Sequence, residues 1–141
     1  MQFNIENSLG FLVNRTNKKM KNEFLQNLKP YDVTPEQWAL LNRLWEEEGI
    51  SSKELAELTC KDQPNIARIL DKLEKKELIF RRPNPSDNRS FLLYLTDRGR
   101  ELEEKLIPLA LSTLEKALEG IEKEQVEELK LLLNRIYANL E

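Results

Sequence analysis

The sequence predicts a mainly α-helical chain with a small β-hairpin wing, the winged helix-turn-helix arrangement. Three observations carry that prediction. Two short capped helical segments meet at a three-residue turn in mid-chain, a hairpin with a polar tip follows them, and long amphipathic segments flank both. A chain of 141 residues buries roughly 70% of its unfolded surface, enough for a real core without disulfide or metal staples.

The first segment sets Ile5, Leu9, Leu12, Val13, Met20, Phe24 and Leu28 at helical spacing, with Arg15, Lys18, Lys19 and Lys21 among them. It reads as one long amphipathic helix that stops before Pro30. Thr34, Pro35 and Gln37 then form a capping-box start with proline at the first helical position. Trp38, Leu41, Leu44 and Trp45 give this second helix its apolar face, and it runs into Glu46 to Glu48 and ends at Gly49. Ser51 with Glu54 is another capping box, opening a helix from Ser52 to Leu58 with Leu55 and Leu58 inward. After Thr59, Cys60 and Lys61, Asp62 is the predicted N-cap of the next helix, where Pro64 is tolerated in the first turn. Ile66, Ile69, Leu70 and Leu73 line its buried side, leaving Gln63, Asn65, Arg68 and Lys72 outward.

The segments Leu78 to Arg82 and Ser90 to Leu95 have strand character, with Phe91, Leu93 and Leu95 on one face opposite Leu92 and Tyr94. Every residue from Pro83 to Asn88 is a turn former, so the tip reads as an extended polar loop. Thr96 caps a long helix through about Glu119 that carries Leu102, Leu106, Leu109 and Leu114, with a kink at Pro108. Gly120 breaks it, and Val126, Leu129, Leu133, Ile136 and Leu140 define a last helix. The flanking helices hold more apolar residues than one small domain covers, among them Phe3, Phe11, Ile107, Leu111, Leu131, Leu132 and Tyr137. A two-fold dimer buries them, so residues 1–30 and 101–141 are expected to form a dimerisation lobe and residues 31–100 the winged helix-turn-helix.

Composition narrows the function. With no histidine there is no imidazole base for a nucleophilic triad and no histidine ligand for zinc or haem. One cysteine, Cys60, excludes an intrachain disulfide and any multi-cysteine metal site. The acidic residues offer no convincing carboxylate pair; Glu46 to Glu48 and Glu101 to Glu104 read as solvated helix faces. The chain is therefore not expected to be an enzyme or to carry a cofactor or metal. Met1 to Val13 lacks the basic start and apolar block of a signal peptide, and no apolar stretch approaches a membrane span, so a cytoplasmic location is expected. The net charge of −3 conceals segregation: residues 1–60 hold −2, residues 61–100 hold +4 and residues 101–141 hold −5. The basic middle coincides with the helix-turn-helix and hairpin, which suits duplex DNA as partner.

Leu70, Asp71, Lys72, Leu73, Glu74, Lys75, Lys76, Glu77, Leu78 and Ile79 lead into the hairpin, whose tip is Asp87, Asn88 and Arg89, followed by Leu95, Thr96 and Gly99. This is similar to the Asp-x-Arg, strand, Leu-Thr-x-x-Gly signature of the MarR family of bacterial transcription regulators. The resemblance covers essentially the whole chain and is detailed from about Ser51 to Leu102. It implies a homodimer on a pseudo-palindromic operator, usually a repressor relieved by a small molecule or an oxidant. It also makes Arg89 the arginine that enters the minor groove and Asp87 its buttress.

Residue chemistry supports the same interface. Gln63, Asn65 and Arg68 lie near the N-terminus of an outward helix face, where glutamine and asparagine can pair with adenine and arginine with guanine. Pro64 adds a rigid apolar surface for a thymine methyl, and Arg81, Arg82, Lys61 and Lys72 are candidate phosphate contacts. A planar cation at Arg89 suits a narrow minor groove, and an Asp87 carboxylate can hold its guanidinium by a charge-assisted pair. The resemblance further implies a cleft between the lobes for a small aromatic or anionic effector, with Arg15, Tyr31 and Trp38 as its candidate lining, although aromatic residues at helical spacing are more often core. In the peroxide-sensing branch the reactive thiol lies in the first helix, which has none here; Cys60 is expected to be a small buried filler, with redox sensing the alternative if its thiol is exposed and acidic. The rival reading is a winged-helix protein-interaction module without DNA readout.

Overall fold

In the computed structural model, which describes residues 2–141, α1 (Leu9–Leu28) begins later than the hydrophobic spacing suggests. A 3-10 turn at Ile5–Asn7 is held by the Asn4 side chain, which accepts from the Glu6 N–H, and Ser8 then caps α1 by accepting from the Phe11 N–H. Two polar caps in succession split what the apolar spacing reads as one helix. A second 3-10 turn, Lys29–Tyr31, follows α1 and ends at Asp32, which adopts a left-handed φ of 54°.

The capping box of α2 (Pro35–Glu46) is complete: Gln37 N–H donates to Thr34 Oγ1 at 3.1 Å and Thr34 N–H to Gln37 Oε1 at 3.2 Å. Lys21 pairs with Glu36 at 3.2 Å, tying α1 to α2. Partial burial pushes the Glu36 carboxyl upward, but its own backbone N–H and the Lys21 ammonium outweigh that and hold it below the usual carboxylate range. Trp38 meets Phe24 edge-on at 5.2 Å and Trp45 at 5.6 Å, so the aromatic residues form a run joining α1 to α2. Helix α2 ends two residues before the acidic run does, and Gly49, at φ +76°, turns the chain against the Tyr94 ring.

That turn delivers β1 (Ile50–Ser51), a strand too short to show alternation in the sequence. It pairs antiparallel with β3 (Asp87–Leu95), which pairs in turn with β2 (Ile79–Asn84), giving the sheet order β1-β3-β2. The hairpin strands run further than the turn-forming residues suggest, leaving only Pro85 and Ser86 between them. Pro83 is tolerated because β2 is an edge strand, where its missing N–H costs no ladder bond.

Between the strands lie α3 (Ser52–Thr59) and α4 (Gln63–Lys75), capped by Ser51 and Asp62. Leu55 is fully buried, but its neighbour on the inward side is Ala56, and Leu58 is 44% exposed, opposite to the sequence reading. A helix of eight residues admits more than one apolar stripe; packing on α2 and α4 selects the one through Ala56. Cys60 is also corrected. It is exposed, at the C-cap of α3 with φ 55°, because that turn position points the side chain away from the core.

Thr96 caps α5 (Asp97–Ala117), which contains Pro108 and ends two residues before Glu119. Trp45 Nε1 donates to Gly99 O at 2.8 Å, and Asn27 Nδ2 to Thr113 Oγ1 at 2.8 Å, joining α5 to α2 and α1. The core of Leu28, Leu40, Leu41, Leu44, Leu55 and Leu106 with the inward side of α4 is almost fully excluded from water. Last, α6 (Lys123–Asn139) buries no residue at all. No helix among the described residues is long and apolar enough to cross a membrane.

Candidate nucleic-acid interface

Helix α4 divides cleanly along its length. Ile66, Ile69, Leu70 and Leu73 are no more than 4% exposed, whereas Gln63, Pro64, Arg68 and Lys72 face solvent and Asn65 is half-buried. Asp62 Oδ1 accepts the Asn65 N–H at 2.8 Å, which satisfies one of the donors that a helix start leaves open. The Arg68 guanidinium, one turn on, donates from Nη2 to Asn65 Oδ1. Gln63, Asn65, Arg68 and Lys72, the four residues that the sequence places outward, and Pro64 beside them all lie off the buried stripe of α4.

The wing differs from expectation in three places. Asp87 does not buttress the Arg89 side chain: its Oδ1 accepts the Arg89 backbone N–H at 2.9 Å, because a carboxylate two residues before the acceptor-seeking amide closes an Asx turn. The exposed Arg89 guanidinium makes neither ion pair nor hydrogen bond among the described residues. Arg81, expected at a phosphate, faces α4 instead and is engaged there, 2.8 Å from Asp71 and 3.8 Å from Glu74. Its register opposite Leu93 puts it on the core face of the sheet. Arg82 lies on the other face, its guanidinium carbon 5.2 Å from the Phe80 ring and 5.6 Å from Tyr94, with the head exposed.

The candidate effector residues are not brought together. Arg15 lies over the Phe11 ring at 5.5 Å on the exposed side of α1, and Trp38 belongs to the aromatic run. Only Tyr31 lines a cleft, of about 220 Å³, whose other walls carry the cations Lys76, Arg98 and Lys105, the carboxylates Asp32 and Glu101, and the apolar Leu78 and Leu102. Lys76 Nζ there donates to Gln37 Oε1 at 2.9 Å and to Asp32 O at 2.5 Å. Sequence reasoning missed this charged cleft, since its residues come from the turn after α1, the residues that close α4 and the first turns of α5.

A helix-turn-helix with an outward second helix, and a wing that ends in an unpaired arginine, define the winged-helix class. Comparison with known proteins narrows it. The MarR family model matches residues 33–91. The organic hydroperoxide resistance transcriptional regulator of Bacillus subtilis is 31% identical over 137 residues, covering 97% of this chain and 90% of that protein. Among solved structures, the transcriptional repressor CouR bound to a 23-mer DNA duplex superposes with a TM-score of 0.86 at 27% identity, covering 97% of this chain and 99% of that one. A MarR mutant from E. coli complexed with operator DNA gives a TM-score of 0.86 at 28% identity, covering 91% and 92%. The chain belongs to the MarR family, whose members are transcriptional regulators.

Proposed function

We propose that this chain is a homodimeric repressor that recognises a pseudo-palindromic operator in the cytoplasm and has no catalytic role. The observation that carries the reading is the division of α4, with four apolar side chains sealed inward and Gln63, Pro64, Asn65, Arg68 and Lys72 outward. Each subunit lays this face in a major groove and extends Arg89 to the flanking minor groove, whose narrow form concentrates negative potential. Lys61, Lys72 and Arg82 meet phosphates. Arg81 is left out of the contact set and stiffens the wing against α4. Asp87 acts on the backbone of the tip. Residues 31–100 form the DNA-binding lobe, and residues 1–30 with 101–141 the dimerisation lobe that holds two reading heads roughly 34–36 Å apart.

The effector site within this proposal is the cleft beside Tyr31, where Lys76, Arg98 and Lys105 outnumber Asp32 and Glu101; Lys76 and Arg98 pair with Asp32 and Glu77 in the free protein, so a small aromatic anion competes for them. Lys76 joins the end of α4 to Asp32 and Gln37, so a ligand that competes for its ammonium alters the seating of the reading helix. A first-helix thiol response is not carried over from the B. subtilis relative, because α1 contains no cysteine and the one thiol among the described residues is the exposed Cys60.

Salt titration of a promoter-length duplex tests the function. Three phosphate contacts per subunit, six in the dimer, give a slope of log affinity against log salt of about −5. A protein-interaction module gives a flat slope, and that result overturns the operator reading. A second measurement isolates the wing. Arg89→Ala is expected to weaken operator binding on the order of 10-fold, about 1.4 kcal/mol, with fold and dimer intact because the side chain holds nothing in the free protein. Unchanged affinity in an intact dimer removes Arg89 from the interface.

A further inference from the structure

The geometry points to Asn65 and Arg68 acting as one composite reader that selects guanine and rejects adenine. This rests on the operator reading above and assigns the base that part of α4 recognises. Residue 65 is fixed first, by the hydrogen bond of its N–H to Asp62 Oδ1 at 2.8 Å. Three residues on, Arg68 lies over the same stretch of helix surface, and its Nη2 donates to Asn65 Oδ1.

An asparagine reads adenine by using its oxygen for the N6 amino group and its own N–H for N7. Here that oxygen already holds a guanidinium. Its second lone pair is flanked by the N–H groups of a cation, so an adenine amino group brought to it meets donors and positive charge. What the pair offers outward is the Asn65 amide N–H groups and the remaining N–H groups of Arg68, a surface of donors alone. Its complement is an edge of acceptors alone. In the major groove guanine presents N7 and O6, thymine only O4, and adenine and cytosine each an amino donor. The expected order is guanine, then thymine, then the two amino bases. Gln63, exposed at the first position of α4 with no side-chain hydrogen bond among the described residues, keeps both donor and acceptor and is not part of this unit. The Asn65–Arg68 contact is made within one helix, so the pair presents this donor surface without rearrangement when DNA arrives, which favours discrimination over adaptability.

Selection of bound duplexes from a random library, with the full-length protein at one salt concentration, tests the assignment. The position read by the pair is the one whose preference disappears in Arg68→Ala. At that position the wild type is expected to enrich guanine over adenine by roughly 5- to 150-fold. Asn65→Ala releases the guanidinium and lowers that ratio several-fold. Asn65→Asp keeps one oxygen on the guanidinium and replaces the outward amide N–H groups with a second oxygen, so preference moves toward cytosine or adenine. Enrichment of adenine by the wild type at that position overturns the inference, as does a guanine preference that both Asn65 substitutions leave unchanged. If no sequence is enriched over the input, the operator reading itself fails and this inference fails with it.

Discussion

Gly99→Ala is expected to destabilise the protein by about 3 kcal/mol, although alanine in place of glycine in a helix ordinarily stabilises by about 1 kcal/mol. Propensity and packing thus predict opposite signs, and the distances decide between them. A Cβ at residue 99 would stand 2.1 Å from the Leu78 carbonyl oxygen and 3.2 Å from Leu95 Cδ2. The first of these is backbone, held where it is by the Thr96 N–H that donates to it at 3.1 Å, so it cannot swing aside as a side-chain end can. Relief requires the first turn of α5 to lift away from the sheet. That movement also stretches the hydrogen bond from Trp45 Nε1 to Gly99 O, one of the direct links between α2 and α5. Urea unfolding at a single protomer concentration should show a lower midpoint with an unchanged slope. A midpoint higher than that of the wild type would mean that α5 and Leu78 are further apart than described.

Local chemistry was legible: Thr34, Ser51, Asp62 and Thr96 each accept the first-turn N–H expected of a cap, because a cap depends on residues three apart. The inward face of α4 was legible for a similar reason, since four apolar positions on a helix of thirteen residues leave one choice of stripe. What failed depends on partners distant in sequence. The pairing of Arg81 with Asp71 and Glu74 is set by strand register, and alternation along β2 gives the face but not what lies opposite. Cys60 and Leu58 fell on the wrong side of the surface because a short helix and a left-handed turn leave their directions to packing. The cleft beside Tyr31 gathers residues from three parts of the chain, and no spacing in the sequence announces it.

Ile136→Glu is expected to convert the protein from dimer to monomer at micromolar concentration and to abolish operator binding. In a single subunit α6 buries nothing, yet it carries Leu129, Leu133 and Ile136 at helical spacing, 52%, 42% and 39% exposed, with Leu132 and Tyr137 beside them. Helices in proteins draw most of their stability from packing of an amphipathic face, and within one subunit the apolar face of α6 is largely uncovered. The exposed apolar residues near the N-terminus, Phe3, Ile5 and Leu9, extend the same requirement to the other end of the chain. A two-fold partner on the proposed dimerisation lobe would meet both needs, and two-fold symmetry would make the substitution count twice, because residue 136 would enter from each subunit. Two carboxylates transferred from water into an apolar contact without partners cost several kcal/mol, so the dimer dissociation constant should rise by about 10³-fold or more. Sedimentation reads the mass, and the far-ultraviolet signal should fall as the uncovered α6 frays. Ile136→Val, which keeps the shape and the apolar character, should remain dimeric. If the glutamate variant sediments as a dimer of unchanged affinity, this stripe of α6 faces water in the assembly. Loss of DNA binding follows from geometry, because an isolated subunit engages one half-site and gives up the second, together with the fixed separation that lets the two act at once.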